Sequence, residues 1–435
     1  MKAVVIGAGV AGTTAALELK KLDRRSEVVL LEATKYPEYS HCGMPFSLEG
    51  MFPPESLISH PAEFYKRAGI DLRLNAKVKK IKPKERKVIL EGKEEGYDYL
   101  IIATGGKAFV PPIEGIDKEG VAGLNVMDEL KELLRLSKKS KRAVVIGAGL
   151  IGLETAVALE SLGIEVTVVE MLNQIIPIID KDMAEYAQRH MESRGVEFKL
   201  EKKVERILGK GNVEGVMVSG EKIGCDLVVL ATGTLANSGL AKDAGLKAGP
   251  FGIEVDEYLR TSDERIYAIG DSIQVKDFFC RKSSAARLSS IALIQGRVAA
   301  ANIAGRKKRF DGGLNSTVTK LFDLEVGRVG LDSNLAGCLG VEVQSSKFKG
   351  ASRIEYYPDK KDVVVKIIFD KRGKVLGFQS VGPDSFGRVA ALAIGIQKGV
   401  TLEDLTKVEF PFAPPISPAI EPIHVAAELG LRRLK

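Results

Sequence analysis

Cysteine is scarce in this chain, and its placement excludes two classes of protein. The 435 residues carry four cysteines, Cys42, Cys225, Cys280 and Cys338, with no CxxC spacing and no histidine paired to them. That is too few for a disulfide framework and the wrong pattern for zinc, so no metal is expected and the compartment reads as reducing and cytoplasmic. Long apolar runs are missing too, since nothing approaches the ~20 residues a membrane span requires. Residues 3–6 are apolar but run straight into a glycine loop, which makes them a strand and not a signal peptide. The basic blocks and aromatic platforms of a nucleic-acid binder are also absent. The net charge of +7 is modest and spread along the chain, and anionic nucleotide ligands are reason enough for it. What remains is an ordinary globular composition, 45% hydrophobic and 28% charged, long enough for two or three domains.

Against that plain background one pattern occurs twice. Gly7-Ala8-Gly9-Val10-Ala11-Gly12 returns 140 residues later as Gly147-Ala148-Gly149-Leu150-Ile151-Gly152. Each copy follows an apolar, β-branched run (Ala3–Ile6 and Ala143–Ile146) that reads as a buried parallel strand. Each opens a segment with small and aliphatic residues at helical spacing, Ala15, Ala16, Leu19 and Leu22, then Ala156, Leu159 and Leu162. A carboxylate ends the next strand: Glu32 twenty residues after Gly12, Glu170 eighteen after Gly152. Glycines permit the tight turn and the close approach of backbone to a pyrophosphate, the helix start faces its charge, and the acid accepts the ribose hydroxyls. One hexamer is weak evidence. Two in matching context, each with its acid, predict two dinucleotide sites.

The repeat extends further. Tyr97–Gly105 and Cys225–Gly233 are apolar strands that both end in Ala-Thr-Gly, 93 and 81 residues after the last fingerprint glycine. Before each lie charged alternating segments, Val78–Leu90 and Val204–Val218, expected to form antiparallel meanders. A third strand, ending Tyr267-Ala268-Ile269-Gly270-Asp271, is followed by a predicted helix from Ser289 to Ile303. Asp271, at a strand's carboxyl end, stands where ligands gather in open α/β sheets. From about Asn315 the pattern changes to strands at Arg353–Tyr357, Val363–Phe369 and Val375–Val381, then a helix from Phe386 to Lys398, an α+β module. It ends in Phe410-Pro411-Phe412-Ala413-Pro414-Pro415, too proline-rich for helix or central strand.

Two dinucleotide sites in one chain point to electron transfer between a nicotinamide and a second dinucleotide, most simply FAD. Cys42 is the candidate for the next carrier. It lies ten residues after Glu32 in Ser40-His41-Cys42-Gly43-Met44-Pro45-Phe46. Gly-x-Pro after it suits a helix start, whose amides favour a thiolate. Cys225, opening an apolar strand, reads as a buried hydrophobe, and Cys280 and Cys338 have no local feature favouring reactivity.

Together the duplicated fingerprint, both Ala-Thr-Gly strands, the Tyr-Ala-Ile-Gly-Asp segment and the C-terminal module resemble the pyridine nucleotide–disulfide oxidoreductases over essentially the whole chain. The lone cysteine before Gly-Met-Pro-Phe, and Phe412-Ala413-Pro414-Pro415, look like the branch of coenzyme A–disulfide reductases and NADH oxidases. Ser47 stands where the glutathione-reductase branch carries a second cysteine, and the His-Pro dyad of that branch is absent, which excludes a dithiol mechanism. Val10 stands where peroxidases and water-forming oxidases carry a histidine, which favours disulfide or polysulfide chemistry. Other positions depart from the branch. His41 replaces an asparagine, Glu38 a serine, and Phe412 a tyrosine able to protonate a leaving thiolate.

The resemblance implies an α/β fold of two Rossmann-like domains plus a C-terminal α+β dimerisation domain. Residues 1–110 and 246–314 would bind FAD, 111–245 NAD, and 315–435 would complete the active site of the partner in a homodimer. The FAD set is Gly7, Gly9, Gly12, Glu32, Val78, Ala103, Thr104, Gly105 and Asp271; the NAD set is Gly147, Gly149, Gly152, Glu170 and Gly233. Cys42, Tyr356 and Tyr357 form the catalytic set. Lys20, Lys21, His41, Arg67 and Phe412 form the coenzyme A set, with coenzyme A as substrate or thiol carrier. The expected activity passes hydride from NADH through FAD to a disulfide, persulfide or polysulfide held at Cys42. The alternatives are an NADH oxidase reducing dioxygen, a reductase of a small ferredoxin- or rubredoxin-type protein, and a redox-sensing flavoprotein without turnover. No nucleic acid and no membrane are expected as partners.

Overall fold

A computed structural model describes residues 1–434, which form two compact units: Met1–Phe109 with Gly233–Gly313, and Val110–Thr232 with Leu314 onward. Among the described residues no helix is long and apolar enough to cross a membrane.

The first unit is built on five parallel strands in the spatial order Ile266–Ala268, Tyr99–Ile102, Lys2–Ile6, Glu27–Leu31, Ile70–Arg73. Its central strands are apolar without alternation because both faces are covered, so Val4, Val5, Leu30, Leu100 and Ile101 are fully buried. Two helices, Val10–Leu22 and Ser289–Ile303, pack against each other at Gly296. A Cβ at that glycine would lie 2.7 Å from the carbonyl oxygen of Ala11. An antiparallel meander, Lys80–Lys82, Lys87–Ile89 and Glu94–Gly96, begins in the expected Val78–Leu90 segment and runs past it, its third strand lying beyond Leu90.

The second unit repeats the plan and adds a module. Five parallel strands run Glu197–Lys199, Glu165–Val169, Arg142–Ile146, Leu227–Leu230, Val121–Gly123, beside the meander Val204–Leu208, Gly215–Val218, Glu221–Ile223. The added module is an antiparallel sheet in the order Thr317–Leu321, Leu324–Gly330, Val375–Val381, Asp362–Phe369, Gln344–Ala351, with helices Ser385–Gln397 and Pro422–Arg433. The expected strand at Arg353–Tyr357 is a turn, with the Tyr357 N–H donating to the Ile354 carbonyl at 3.0 Å and Asp359 at φ +61°. The strand is instead Gln344–Ala351 on the sheet's edge. An edge strand need bury little, and its polar Gln-Ser-Ser-Lys run hid it from a hydrophobicity reading.

A buried polar cluster ties this module to the helix Lys181–Glu192. The Lys366 ammonium lies 2.6 Å from Asp180 and 2.8 Å from Asp182. Asp180 also accepts from the Ser333 N–H and hydroxyl at 2.8 and 2.7 Å, and its own N–H donates to Gln379 at 3.0 Å.

Candidate functional site: two nucleotide loops and an exposed thiol

The two glycine loops share their local geometry glycine by glycine. Gly7 and Gly147 sit at φ +102° and +108°, and a Cβ on either would strike the carbonyl of Ala103 or Ala231 at 2.2 and 2.4 Å. At Gly12 and Gly152 a Cβ would strike the carbonyl of Gly7 or Gly147 at 1.9 and 2.1 Å. Gly9 and Gly149 differ, because a Cβ there meets nothing within 4 Å. Two glycines in each loop make the turn and the helix–strand contact, while the middle one leaves open space beside the backbone. That is the shape a diphosphate requires at a helix start. Neither the helix Val10–Leu22 nor Leu150–Ser161 has a side-chain cap, so their first amides remain available.

The acids repeat as well. Glu32 accepts from the Ala8 N–H at 2.9 Å and the Thr34 N–H at 2.8 Å. Glu170 accepts from the Ala148 N–H at 2.8 Å and the Leu172 N–H at 2.9 Å. Each carboxylate is thereby fixed beside its glycine loop with further lone pairs to offer ribose hydroxyls.

Asp271 lies in the one-turn helix Gly270–Ser272, at the end of strand Ile266–Ala268. Burial raises the pKa of its carboxyl group, with Arg287 opposing the rise. Burial likewise lowers the pKa of Arg287, whose Nε is enclosed and finds no partner among the described residues. An orphaned guanidinium N–H offers a donor to a diphosphate oxygen and a desolvated carboxylate an acceptor to a hydroxyl, which suits a dinucleotide such as FAD. The turn is held by Gln295, whose buried Oε1 accepts from the Gly270 N–H at 2.7 Å. Thr104 donates to the Asn237 carbonyl at 2.7 Å, and Val78, Ala103 and Gly105 lie around the same unit's sheet. Neither Arg287 nor Gln295 was singled out from sequence, because a lone arginine and a mid-helix glutamine carry no local signature.

Cys42 is exposed, one residue before the N-cap Gly43 of the short helix Met44–Leu48. Its loop is closed by the Gly43 N–H donating to Ser40 Oγ at 3.2 Å, and a Cβ on Gly43 would lie 2.4 Å from Leu57. Cys42 Sγ lies 3.7 Å from the hydroxyl of Ser289, the first residue of the helix Ser289–Ile303. Beside it His41 stacks on Tyr39 with ring centroids 4.6 Å apart. The chain packed around the imidazole lowers its pKa, although Glu32 pulls the other way. Behind the loop, burial raises the pKa of Glu38, with His60 and Thr13 opposing.

The other thiols differ. Cys225 is buried, and burial together with Asp226 pushes its pKa up to about 12, against Arg142. Cys280 lies 3.4 Å from the Asp277 carboxylate, and burial raises its pKa. Cys338 is exposed.

The basic candidates separate. The Lys20 ammonium donates to the Arg24 and Ser26 carbonyls at 2.9 and 2.8 Å, a tether across the turn after its helix. Lys21 is exposed near Glu18, and Arg67 is exposed at the end of helix Ala62–Arg67. Tyr356, Tyr357 and Phe412 belong to the second unit. Tyr356 and Phe412 are exposed, and Tyr357 lies under Arg353 at 5.3 Å.

A chain with two dinucleotide folds, two acid-backed glycine loops and, in the same compact unit as the first, the exposed thiol of Cys42 is a two-nucleotide oxidoreductase. Residues 1–304 match the pyridine nucleotide-disulphide oxidoreductase family and residues 316–423 its dimerisation domain. The chain belongs to that family, whose members are flavoenzymes using FAD and NAD(P)H. It is 39% identical to an NADH oxidase of Methanocaldococcus jannaschii, over 100% of this chain and 99% of the relative. It is 34% identical to a CoA-dependent NAD(P)H sulfur oxidoreductase of Pyrococcus furiosus, over 98% of both. Among solved structures it resembles an NAD-dependent persulfide reductase from A. fulgidus, with TM-score 0.96 and 34% identity, over 100% of this chain and 83% of that one.

Proposed function

We propose that this chain is an NADH-dependent reductase of a disulfide, persulfide or polysulfide held covalently on Cys42. The observation that carries the reading is an exposed thiol, in the same compact unit as the first glycine loop, on a loop closed by Gly43. FAD, when bound, supplies two-electron transfer from NADH to sulfur. Gly7, Gly9, Gly12, Glu32, Asp271 and Arg287 would hold it, with Val78, Ala103, Thr104 and Gly105 around them. Gly147, Gly149, Gly152, Glu170 and Gly233 would hold NADH.

Cys42 attacks the acceptor's S–S bond, one sulfur stays on Sγ, and the other departs as a thiolate that takes a proton. Two electrons then cleave the new bond, which restores the Cys42 thiolate and releases the second sulfur. Lys21 and Arg67 are exposed and would meet an anionic thiol carrier such as coenzyme A, with His41 next to the thiol as a neutral hydrogen-bonding group, while Lys20 is engaged by the chain. Exposed Tyr356 and Phe412 lie in the region matching the dimerisation domain, which supports a homodimer whose partner module completes the site. The cysteine pattern supports a cytoplasmic setting.

Dioxygen is the second reading, favoured by the 39% identity to a protein named NADH oxidase. The deciding experiment is intact-mass and peptide mass spectrometry of purified protein. Sulfane sulfur or coenzyme A on Cys42 supports the sulfur reading; oxygen alone on Cys42, with peroxide or water as the only turnover product, supports the oxidase.

A further inference from the structure

The residue that faces Cys42 comes from 247 positions away. Ser289 Oγ and Cys42 Sγ lie 3.7 Å apart, within hydrogen-bond reach for sulfur. Ser289 opens a helix of 15 residues whose N-cap, Leu288, supplies no side-chain oxygen. The positive end of that helix is therefore uncapped beside the sulfur. Both side chains are exposed, so the contact is not a product of core packing. The neighbouring side chains on the cysteine's own loop are engaged elsewhere: Ser40 accepts from the Gly43 N–H and His41 stacks on Tyr39.

We propose that Ser289 is a positioning residue for Cys42: its hydroxyl donates to Sγ and, with the uncapped helix start, holds the sulfur aimed at the acceptor and stabilises negative charge as it develops there. This rests on the reading of Cys42 as the sulfur carrier. Hydrogen bonds and helix starts both stabilise thiolate over thiol. When two electrons from NADH, by way of FAD, cleave the Sγ–S bond, one pair remains on Sγ and one leaves on the departing sulfur, which takes a proton. A donor fixed at Sγ stabilises that arriving charge and directs cleavage so that Cys42 is released as the anion.

The test compares Ser289→Ala and Ser289→Thr with the parent chain, all FAD-loaded. Alkylation of Cys42 by iodoacetamide is followed by peptide mass spectrometry across the neutral and alkaline range. The midpoint for Ser289→Ala should move up by about one pH unit, a tenfold loss of thiolate at fixed pH, and Ser289→Thr should restore it. The acid limb of kcat/KM for a disulfide should move by the same amount. A residue with a merely structural role would lower flavin content and leave both profiles in place. An unmoved midpoint in Ser289→Ala overturns the proposal. Disulfide turnover surviving in Cys42→Ser would overturn the carrier reading instead. Loss of turnover there with an unmoved Ser289→Ala profile removes only the role of Ser289.

Discussion

Glu170 and Cys225 show how a single side chain's surroundings decide its chemistry. Glu170 is held by two backbone amides beside the second glycine loop, and Met171-Leu172-Asn173-Gln174 follows it without a basic residue. A 2′-phosphate there would face a fixed carboxylate. NADH should therefore be preferred to NADPH by on the order of tenfold or more in kcat/KM, about 1.4 kcal/mol, measured by steady-state kinetics with both. Equal values would mean that Lys202, whose N–H donates to the Glu170 carbonyl, reaches the phosphate. For Cys225, a pKa pushed up to about 12 by burial leaves no thiolate at neutral pH. Iodoacetamide should therefore label Cys42 and Cys338 in the folded chain and Cys225 only after unfolding. Early labelling of Cys225 would contradict the burial.

At the scale of elements, the Asp271 turn depends on the helix Ser289–Ile303. Replacing Gln295 with leucine leaves the buried Gly270 N–H without its acceptor, a cost of about 1–3 kcal/mol. FAD affinity, measured by rebinding to deflavinated protein, should fall by roughly tenfold to a hundredfold. Unchanged affinity would detach Gln295 from the flavin site. Gly296→Ala should lower stability by about 1–3 kcal/mol, since its Cβ would meet the Ala11 carbonyl at 2.7 Å; a denaturation midpoint equal to the parent's would contradict this.

These dependences mark the limit of what sequence reveals. Glycine loops, their acids, the Ala-Thr-Gly strands and the helix from Ser289 are local patterns, and all were legible as such. The Ser289 contact with Cys42, the electrostatic influence of Arg287 on Asp271 and the Gln295 bond to Gly270 join separate segments, and no local spacing encodes them. The edge strand Gln344–Ala351 was missed for a different reason: it buries too little to carry a hydrophobic period.

In the second unit, buried Lys366 and Asp180 and half-buried Asp182 form a charge cluster. Burial alone would raise the two carboxyl pKa values, but Lys366, with Ser333 and Lys347, holds both below the usual carboxylate range. Burial alone would lower the pKa of Lys366, and the carboxylates raise it instead. The depressed carboxylates stabilise the fold above their unfolded pKa values, near 4, and lose that contribution as pH falls through the folded values. Lysine's contribution holds below its unfolded value of 10.5 and is lost as pH rises through the folded one. Lys366→Met should strip the buried Asp180 carboxylate of its cation, while half-buried Asp182 keeps Lys347 at 2.7 Å; the loss should be about 3 kcal/mol at neutral pH, with the deficit shrinking in acid as Asp180 protonates. Denaturation across pH checks the sign; a deficit that grows in acid would be wrong for this cluster.

For the chain as a whole, the central claim is that electrons leave through one thiol. Stopped-flow flavin absorbance and steady-state NADH loss with a disulfide or polysulfide, run together on Cys42→Ser, test it most directly. Flavin reduction by NADH should persist, disulfide turnover should vanish, and residual NADH loss should yield peroxide. Substantial disulfide reductase activity in Cys42→Ser would contradict the account and leave an electron-transfer reductase in its place.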